Sequence, residues 1–490
     1  LPMIEYGRLA MRWISAPSPV TWAQPVPYFV HRDFSSPLLS VFGLVIPNAH
    51  GYTDPFLGVV AVTLASIAVV TAWKREWVPF FVSIAAGGFL YSLGSHDIFQ
   101  GFLYAVVPFV DKARTPAAAI CILSAGAAVL AAYGFDQLPA LSHTSTGTRA
   151  ACVVGGAGLL LWTAILFGIA ASTSVSNFID PFGSAGFYAL LTAAALYAWR
   201  RGAITSRTVT AILFGCMLME AGNLSGSEFG ERGNYGQMTD LRKVRDDDDI
   251  AAFLEKQPRP FRIDMDTNEL ALNWPEYHHF DGLKSYLASV TLNGADLEIH
   301  LPAYRSFWNV TYTIGRSTEM PDAQEVFEGK SGRKVFWNPH AFPRAWAVHL
   351  VNSVGAVPDG QALVRDRLTE LHAAAFVRGP IPPGWKTQSC LGDKVSVASY
   401  RAESVVISAN MACDGVVILS DMYYPGWKAF VDGKPVDIHE VNLAMRGVAV
   451  PAGKHEIRYV FRPAPVYAGA FLTALGILSA CFIALPRKGR

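Results

Sequence analysis

Charge is what this sequence lacks first. Only 16% of its 490 residues are Asp, Glu, Lys or Arg, against about 25% in ordinary soluble domains. With 51% hydrophobic residues, the chain holds either several soluble domains or one membrane domain, and the distribution decides between them. An excess of either sign is lacking too: net charge is +1, which offers nucleic acid no electrostatic hold. The opening LPMIEYGRLAMRW has neither an initiator Met nor the apolar core of a secretory signal. We therefore expect the natural N-terminus to lie upstream. No Ser-His-Asp or Cys-His arrangement can be placed, so nucleophilic hydrolysis has no sequence support.

What is present is long apolar runs. A membrane-spanning helix needs about 20 mostly apolar residues. Seven stretches reach or approach that: 56–73, 77–93, 116–138, 150–171, 184–199, 208–222 and 466–485. Gly and Ala strings inside them (SAGAA, GGAG) suit close helix contacts in lipid and are not phosphate loops. Lys74, Arg75, Arg149, Arg200, Arg201, Arg207, Arg487, Lys488 and Arg490 gather at one set of span ends. The opposite short loops, 94–115 and 172–183, hold only Lys112 and Arg114, and Arg8, Arg12 and Arg32 narrow the contrast without reversing it. Basic loops stay in the cytoplasm, so residues 223–465 are expected outside.

The expected order is an extracytoplasmic N-terminal segment and loop (1–55), a membrane domain of about six spans (56–222) and a linker (223–250). An extracytoplasmic α+β region (251–389), a β-sandwich (390–465) and a last span with a cytoplasmic tail (466–490) follow. In the linker, RDDDDI reads as a solvated tether. Region 251–389 mixes short strands with one helical stretch, DGQALVRDRLTELHAAAF. Residues 390–462 are β in pattern throughout, with strands at short spacing. Asp432-Gly433 is the strongest hairpin signal, and Pro425-Gly426 marks a further turn. Cys121, Cys152, Cys216 and Cys481 fall in spans. Cys390 and Cys413 are alone in the outer part, where a disulfide is permitted; a bridge is expected, with two buried thiols as the alternative.

The run LSDMYYPGWKAFVDGKPVDIHEVNLAMRGVAVPAGKHEIRYVFRP, followed by a last span and a basic tail, resembles the bacterial YfhO family of multi-spanning membrane proteins. LPMIEYGRLAMR and SLGSHDIFQGFLYAVVPFVDKARTPAAAICILSAGAAVLAAYGFDQL look like the family as well, so the resemblance covers nearly the whole chain. It implies a fold akin to the GT-C membrane glycosyltransferases: a multi-spanning helical domain, an extracytoplasmic α+β region ending in a sandwich, and a final span. It also implies a sugar moved from a polyprenyl-phosphate donor to a cell-envelope acceptor at the bacterial cytoplasmic (inner) membrane. Such a transferase needs an acidic residue to activate the acceptor or to hold a divalent metal, and cations for the donor phosphate. GT-C enzymes place that carboxylate in a first outer loop that this chain does not contain, so the resemblance carries over no catalytic residue.

What remains are polar residues at the outer span ends. Candidates for catalysis are Asp33, His96 and Asp97; candidates for the donor phosphate are Arg114, Lys112 and Arg32. Arg114 matches the Arg before the family's x-Pro, while Ala117 and Ala118 replace a second basic residue, which weakens clamping. Pro116 in a helix's first turn would leave backbone N–H groups free to face an anion. Each has a plainer reading: Asp111 and Lys112 pairing with each other, His96-Asp97 capping a loop. Asp264-x-Asp266 and the His278, His279, Asp281 group look like metal motifs without the surroundings such sites need. Tyr423, Tyr424 and Trp427 could form a sugar platform, but fill a sandwich core more often. Two alternatives stand beside the enzyme: a non-catalytic membrane protein presenting envelope polymers, and, more weakly, a lipid-linked glycan transporter, for which Glu220 is nearly the lone charged residue in a span.

Overall fold

The computed structural model describes residues 2–12, 20–47, 55–141, 145–170, 176–234, 244–284, 289–385 and 389–484. They form two compact units, residues 25–236 and residues 1–24 with 237–490. The first is helical, and each apolar run forms a helix: Val59–Thr71, Trp77–Ser92, Ile120–Leu141, Ser145–Ala170, Ser176–Arg200 and Ser206–Asn234. Windows at Pro116–Pro139, Thr148–Phe167 and Pro181–Arg200 are long and apolar enough to cross a membrane, as is Ala464–Phe482 in the other unit. The 464–482 window is left wholly uncovered by the described residues, with Phe471, Leu478 and Phe482 exposed. Such a surface is stable only against lipid or a partner.

Small residues set the helix contacts. Gly126 lies against Ala85, and Gly158 against Ala189. Glu220 is buried because it completes another helix: its carboxylate accepts from Val59 N at 2.7 Å and Val60 N at 3.3 Å. Those donors have no partner within their own helix, and a carboxylate suits the positive end of its dipole. Ser206–Asn234 runs twelve residues past Gly222, into the stretch expected as linker. The acidic run is no tether either. Asp247 is fully buried, paired with Arg333 at 2.8 Å and accepting from Ser331 Oγ, while Asp249 caps the Lys330 N–H at 2.7 Å. The central part of the linker, 235–243, lies outside the described residues.

The second unit is β-rich. A five-stranded sheet runs in the order Asp281–Gly282, Arg262–Met265, Val310–Gly315, Lys334–Trp337, Gln324–Glu328. Near the N-terminus Ala10–Arg12 pairs with Val20–Thr21 and Ser289–Thr291. Leu350–Val354 and Ala374–Arg378 pair in parallel through the helix Val357–Asp366. The helix expected through AAAF therefore stops early: a short 3-10 turn, Leu368–His372, follows, and Ala374–Phe376 are strand. Alanine is the strongest helix former, but intrinsic propensity is a weak force, and the parallel partner overrides it.

Residues 394–461 supply most of two antiparallel sheets. One has the order Lys394–Arg401, Ser404–Met411, Gly453–Phe461, Trp427–Val431, Lys434–Val436; the other runs His439–Val441, Met445–Val450, Gly415–Met422, Ala345–Val348. Alternation in SVVISANM sends Val405, Ile407 and Ala409 inward, where they meet Val417, Leu419, Val448 and Ile457 in one buried cluster. The edge strand Ala345–Val348 is drawn from the region before 390. Asp432 (φ 48°) and Gly433 (φ 77°) both take left-handed backbone, which a two-residue hairpin turn requires.

A buried ionic node ties these sheets together. Asp421 is 3.0 Å from both Arg262 and Arg344 and accepts from the Tyr400 hydroxyl at 3.0 Å. Arg344 also bonds Tyr400 and, at 2.8 Å, Asp281. Burial would raise the Asp421 carboxyl, but Arg344, Arg262, Arg446 and the Tyr400 hydrogen bond hold it below the usual carboxylate range. Burial and the neighbouring Arg344 bring the Arg262 guanidinium down to about 10, against the pull of Asp421.

A disulfide joins Cys390 and Cys413, 23 residues apart. His349 approaches Cys413 at 3.4 Å and pairs with Asp393 at 2.6 Å, but with both sulfurs oxidised the group is no thiolate metal site. Cys413→Ser is expected to lower stability by about 2–4 kcal/mol, since a cross-link of this span restricts the unfolded chain. Thermal unfolding under oxidising and reducing conditions checks this: reductant should remove the difference between wild type and variant.

Candidate functional site

Three segments singled out in the sequence, 31–36, 92–97 and 111–117, converge in the helical unit. Ser36 N donates to Ser92 O at 2.8 Å, Ser95 N to Ser35 Oγ at 3.0 Å, and Ala117 N to Phe34 O at 3.3 Å. His31 Nδ1 sits 2.8 Å from Ala113 O, and Val26 N donates to Asp111 O at 2.8 Å. The packing is tight enough to demand special backbone. Gly94 (φ 51°) has room for no Cβ, which would fall 2.0 Å from Ser35 Oγ. Phe34, Phe109 and Thr115 hold φ of 58°, 71° and 64°, a conformation non-glycine residues adopt only where the surroundings impose it.

The cations differ in their freedom. Lys112 pairs with Asp111 at 3.1 Å, the plainer reading of that dipeptide. Arg32 lies 5.9 Å over the Tyr28 ring and Arg114 5.4 Å over the Phe34 ring. Neither guanidinium forms an ion pair among the described residues, and the buried Arg114 Nε has no hydrogen-bond partner. The Asp33 carboxylate likewise takes no partner among them. His96 is exposed and turned onto Leu93 O at 3.1 Å. Asp97 Oδ1 accepts from Gln100 N at 3.3 Å at the head of helix Phe99–Val106, so it does cap a loop; its Oδ2 is buried without a partner. Neither His96 nor Asp97 pairs with Arg32, Lys112 or Arg114 among the described residues.

One expectation fails here. The N–H groups after Pro116 are not free for an anion: Ala117 N is bonded to Phe34 O and Ala118 N to Thr115 O at 3.0 Å. The segment Pro116–Ala119 is a 3-10 turn that tightens the entry to Ile120–Leu141. An anion at this place would be held by side chains.

Beside the two arginines is a polar cluster that the reading of single motifs missed. His31 and Gln100 are fully buried; His31 Nε2 and Gln100 Nε2 lack partners. Tyr28 donates to Gln100 Oε1 at 3.1 Å, and the Tyr104 ring lies 4.8 Å from His31. Burial lowers the His31 pKa, despite the Ala113 carbonyl and nearby Asp111, so the ring is neutral near pH 7. The signal was the spacing: Tyr28 with His31, and Gln100 with Tyr104, place polar groups on one helical face of apolar runs. An apolar cavity of about 610 Å³ also lies along Ile120–Leu141, lined by Ser124, Ala127, Ala131, Val60, Phe56 and Leu213.

Residues 388–473 match the family model described as bacterial membrane protein YfhO. This stretch is YfhO-like. No curated protein and no solved structure matches the chain. The YfhO match covers the paired sheets from Lys394–Arg401 onward and the first half of helix Ala464–Ala484. Arg32, Arg114 and the polar cluster lie outside the matched residues.

Proposed function

We propose that the protein is a membrane glycosyltransferase of the GT-C type that moves a sugar from a polyprenyl-phosphate donor to an extracytoplasmic cell-envelope acceptor. The observation that carries this reading is the convergence of 31–36, 92–97 and 111–117, which brings the segments of Arg32, Arg114, Asp33 and Asp97 together, with neither guanidinium in an ion pair among the described residues. Arg114 and Arg32 would take the donor phosphate by charge-assisted hydrogen bonds; Lys112, paired with Asp111, would add little. Asp33 and the free oxygen of Asp97 are the groups that could activate an acceptor hydroxyl or hold a divalent metal; His96 is the solvent-facing base. The cavity along Ile120–Leu141, whose lining from Ser124 onward is mostly apolar, suits the polyprenyl tail.

In this reading the apolar helices span the bacterial inner membrane, and the β-rich unit, with its two packed sheets as a β-sandwich, is extracytoplasmic. A reporter fused after Arg490 is expected in the cytoplasm, and one inserted at the exposed Pro383-Gly384 turn outside it. Both reporters on one side would refute the topology.

The second reading is a non-catalytic protein that presents envelope polymers. It is favoured by the bonded N–H groups at Ala117 and Ala118 and by the Asp111–Lys112 pair, which leave less for a phosphate. Glu220 adds nothing to the transporter reading, since its carboxylate caps a helix. Reconstituted full-length protein supplied with a lipid-linked sugar separates the two: sustained transfer supports the enzyme, and polymer binding without transfer supports presentation.

A further inference from the structure

The stretch YYPGWKAFVDGKPV builds a cavity. Tyr423, Tyr424 and Trp427 are half-buried and line an opening of about 290 Å³ with Lys428, Asp437 and Arg446; Trp427 also packs against the core of the two sheets, in part the role expected of it. The turn that presents the two tyrosines is held rigidly. Gly426 has φ 99°, and a Cβ there would meet Phe461 and Pro463 at about 3 Å, so only glycine fits. Asn293 donates to Tyr423 O at 2.9 Å from the other side.

Arg446 is the unusual wall. Its residue is only 5% exposed, its guanidinium lies 3.8 Å over the Trp427 ring, and Nε donates to Met422 O at 3.0 Å. Its Nη1 is buried with no hydrogen-bond partner and reaches Asp421 only at 3.9 Å. Asp421 is already committed to Arg262, Arg344 and Tyr400. Three guanidiniums thus share Asp421 and the half-exposed Asp281, which leaves one buried positive charge unmatched, and Arg446 is where it meets the cavity. A buried cation without a counter-charge is costly, and an anion entering here would complete it. Burial lowers the Arg446 pKa more than Asp421 restores it, in keeping with a guanidinium short of negative charge.

We infer that this cavity binds a saccharide bearing an anionic group, with the carboxylate or phosphate on Arg446 and the sugar ring against Tyr423, Tyr424 and Trp427. Aromatic faces pack on the C–H faces of sugars, Asp437 accepts from a hydroxyl, and Lys428 adds an exposed cation at the rim. The site shares no residue with the Arg32 and Arg114 segments, and it stands or falls independently of sugar transfer because binding requires no donor.

The test is calorimetric titration of the full chain in lipid nanodiscs, without donor. The probes are a glucuronate-containing disaccharide, a hexose phosphate, their neutral counterparts and inorganic phosphate. An anionic saccharide is expected to bind about tenfold or more tightly than its neutral counterpart, and to weaken as salt rises. Arg446→Gln should remove that preference; Tyr424→Ala, at the cavity wall, should weaken binding about fivefold or more while leaving the fold intact. Carboxylate and phosphate arms identify which anion is preferred. Equal binding of charged and neutral sugars, no binding, inorganic phosphate binding as tightly as the sugar, or insensitivity to Tyr424→Ala would each overturn the assignment. If Arg446→Gln fails to fold, the Tyr424 variant and the charged-to-neutral ratio still decide.

Discussion

Asp421→Ala is expected to destabilise the β-rich unit by about 3–5 kcal/mol, the cost of stripping the counter-charge from a buried cluster. The carboxylate answers Arg262 and Arg344 at 3.0 Å and takes the Tyr400 hydroxyl, so its loss leaves several cations in low dielectric at once. Replacing the charge with Asn should cost nearly as much, because shape is kept but neutralisation is not. The pH dependence follows the same charge. Asp421 is held below the usual carboxylate range in the folded protein, so its stabilisation is present above the unfolded value of about 3.9 and is lost as pH falls through the lower folded value. Thermal unfolding of wild type and Asp421→Asn across acid pH checks both points. Wild type should lose stability as the solution becomes acidic while the variant stays flatter; parallel curves would remove Asp421 from the node.

Arg114→Ala is expected to weaken donor binding about 10–100-fold, equivalent to a charge-assisted hydrogen bond of 1.5–3 kcal/mol. Folding should survive, because Arg114 answers no carboxylate among the described residues, so its removal orphans no charge there. What is lost is the contact with the Phe34 ring, worth about 0.5–1 kcal/mol at a partly exposed place. Arg114→Lys keeps the charge without the two-pronged geometry and should retain partial activity. Transfer from a lipid-linked sugar in vesicles, with protein level measured alongside, reads the effect. Unchanged transfer in the Ala variant would rule out the phosphate role, and loss of folded protein would make Arg114 structural.

The helices were legible because burial in an apolar medium writes itself into long runs; Trp77–Ser92 begins at the first residue of the expected span and ends one residue short of it. Asp432-Gly433 was legible because few other pairs tolerate its backbone. Long-range pairing was not. Nothing near Asp247 announces Arg333, 86 residues on, so an acidic run read as solvated turned out to be partly core. The alanines at 373–375 suit a helix until a parallel neighbour supplies ladder hydrogen bonds. At the candidate site, residue types flagged the three segments, but their convergence, the occupied N–H groups at Ala117 and Ala118, the Tyr28–Gln100 bond and the His31–Ala113 bond depend on contacts between segments far apart in the chain.

The most direct test of the proposed donor site is photo-crosslinking with a polyprenyl-phosphate sugar whose reactive group sits beside the phosphate, followed by peptide mapping of the full-length protein. Crosslinks are expected within 31–36, 92–97 and 111–117, diminished by Arg114→Ala and by excess unlabelled donor. Labelling confined to other segments, or unaffected by competitor, would contradict the assignment of these residues to a lipid-linked donor.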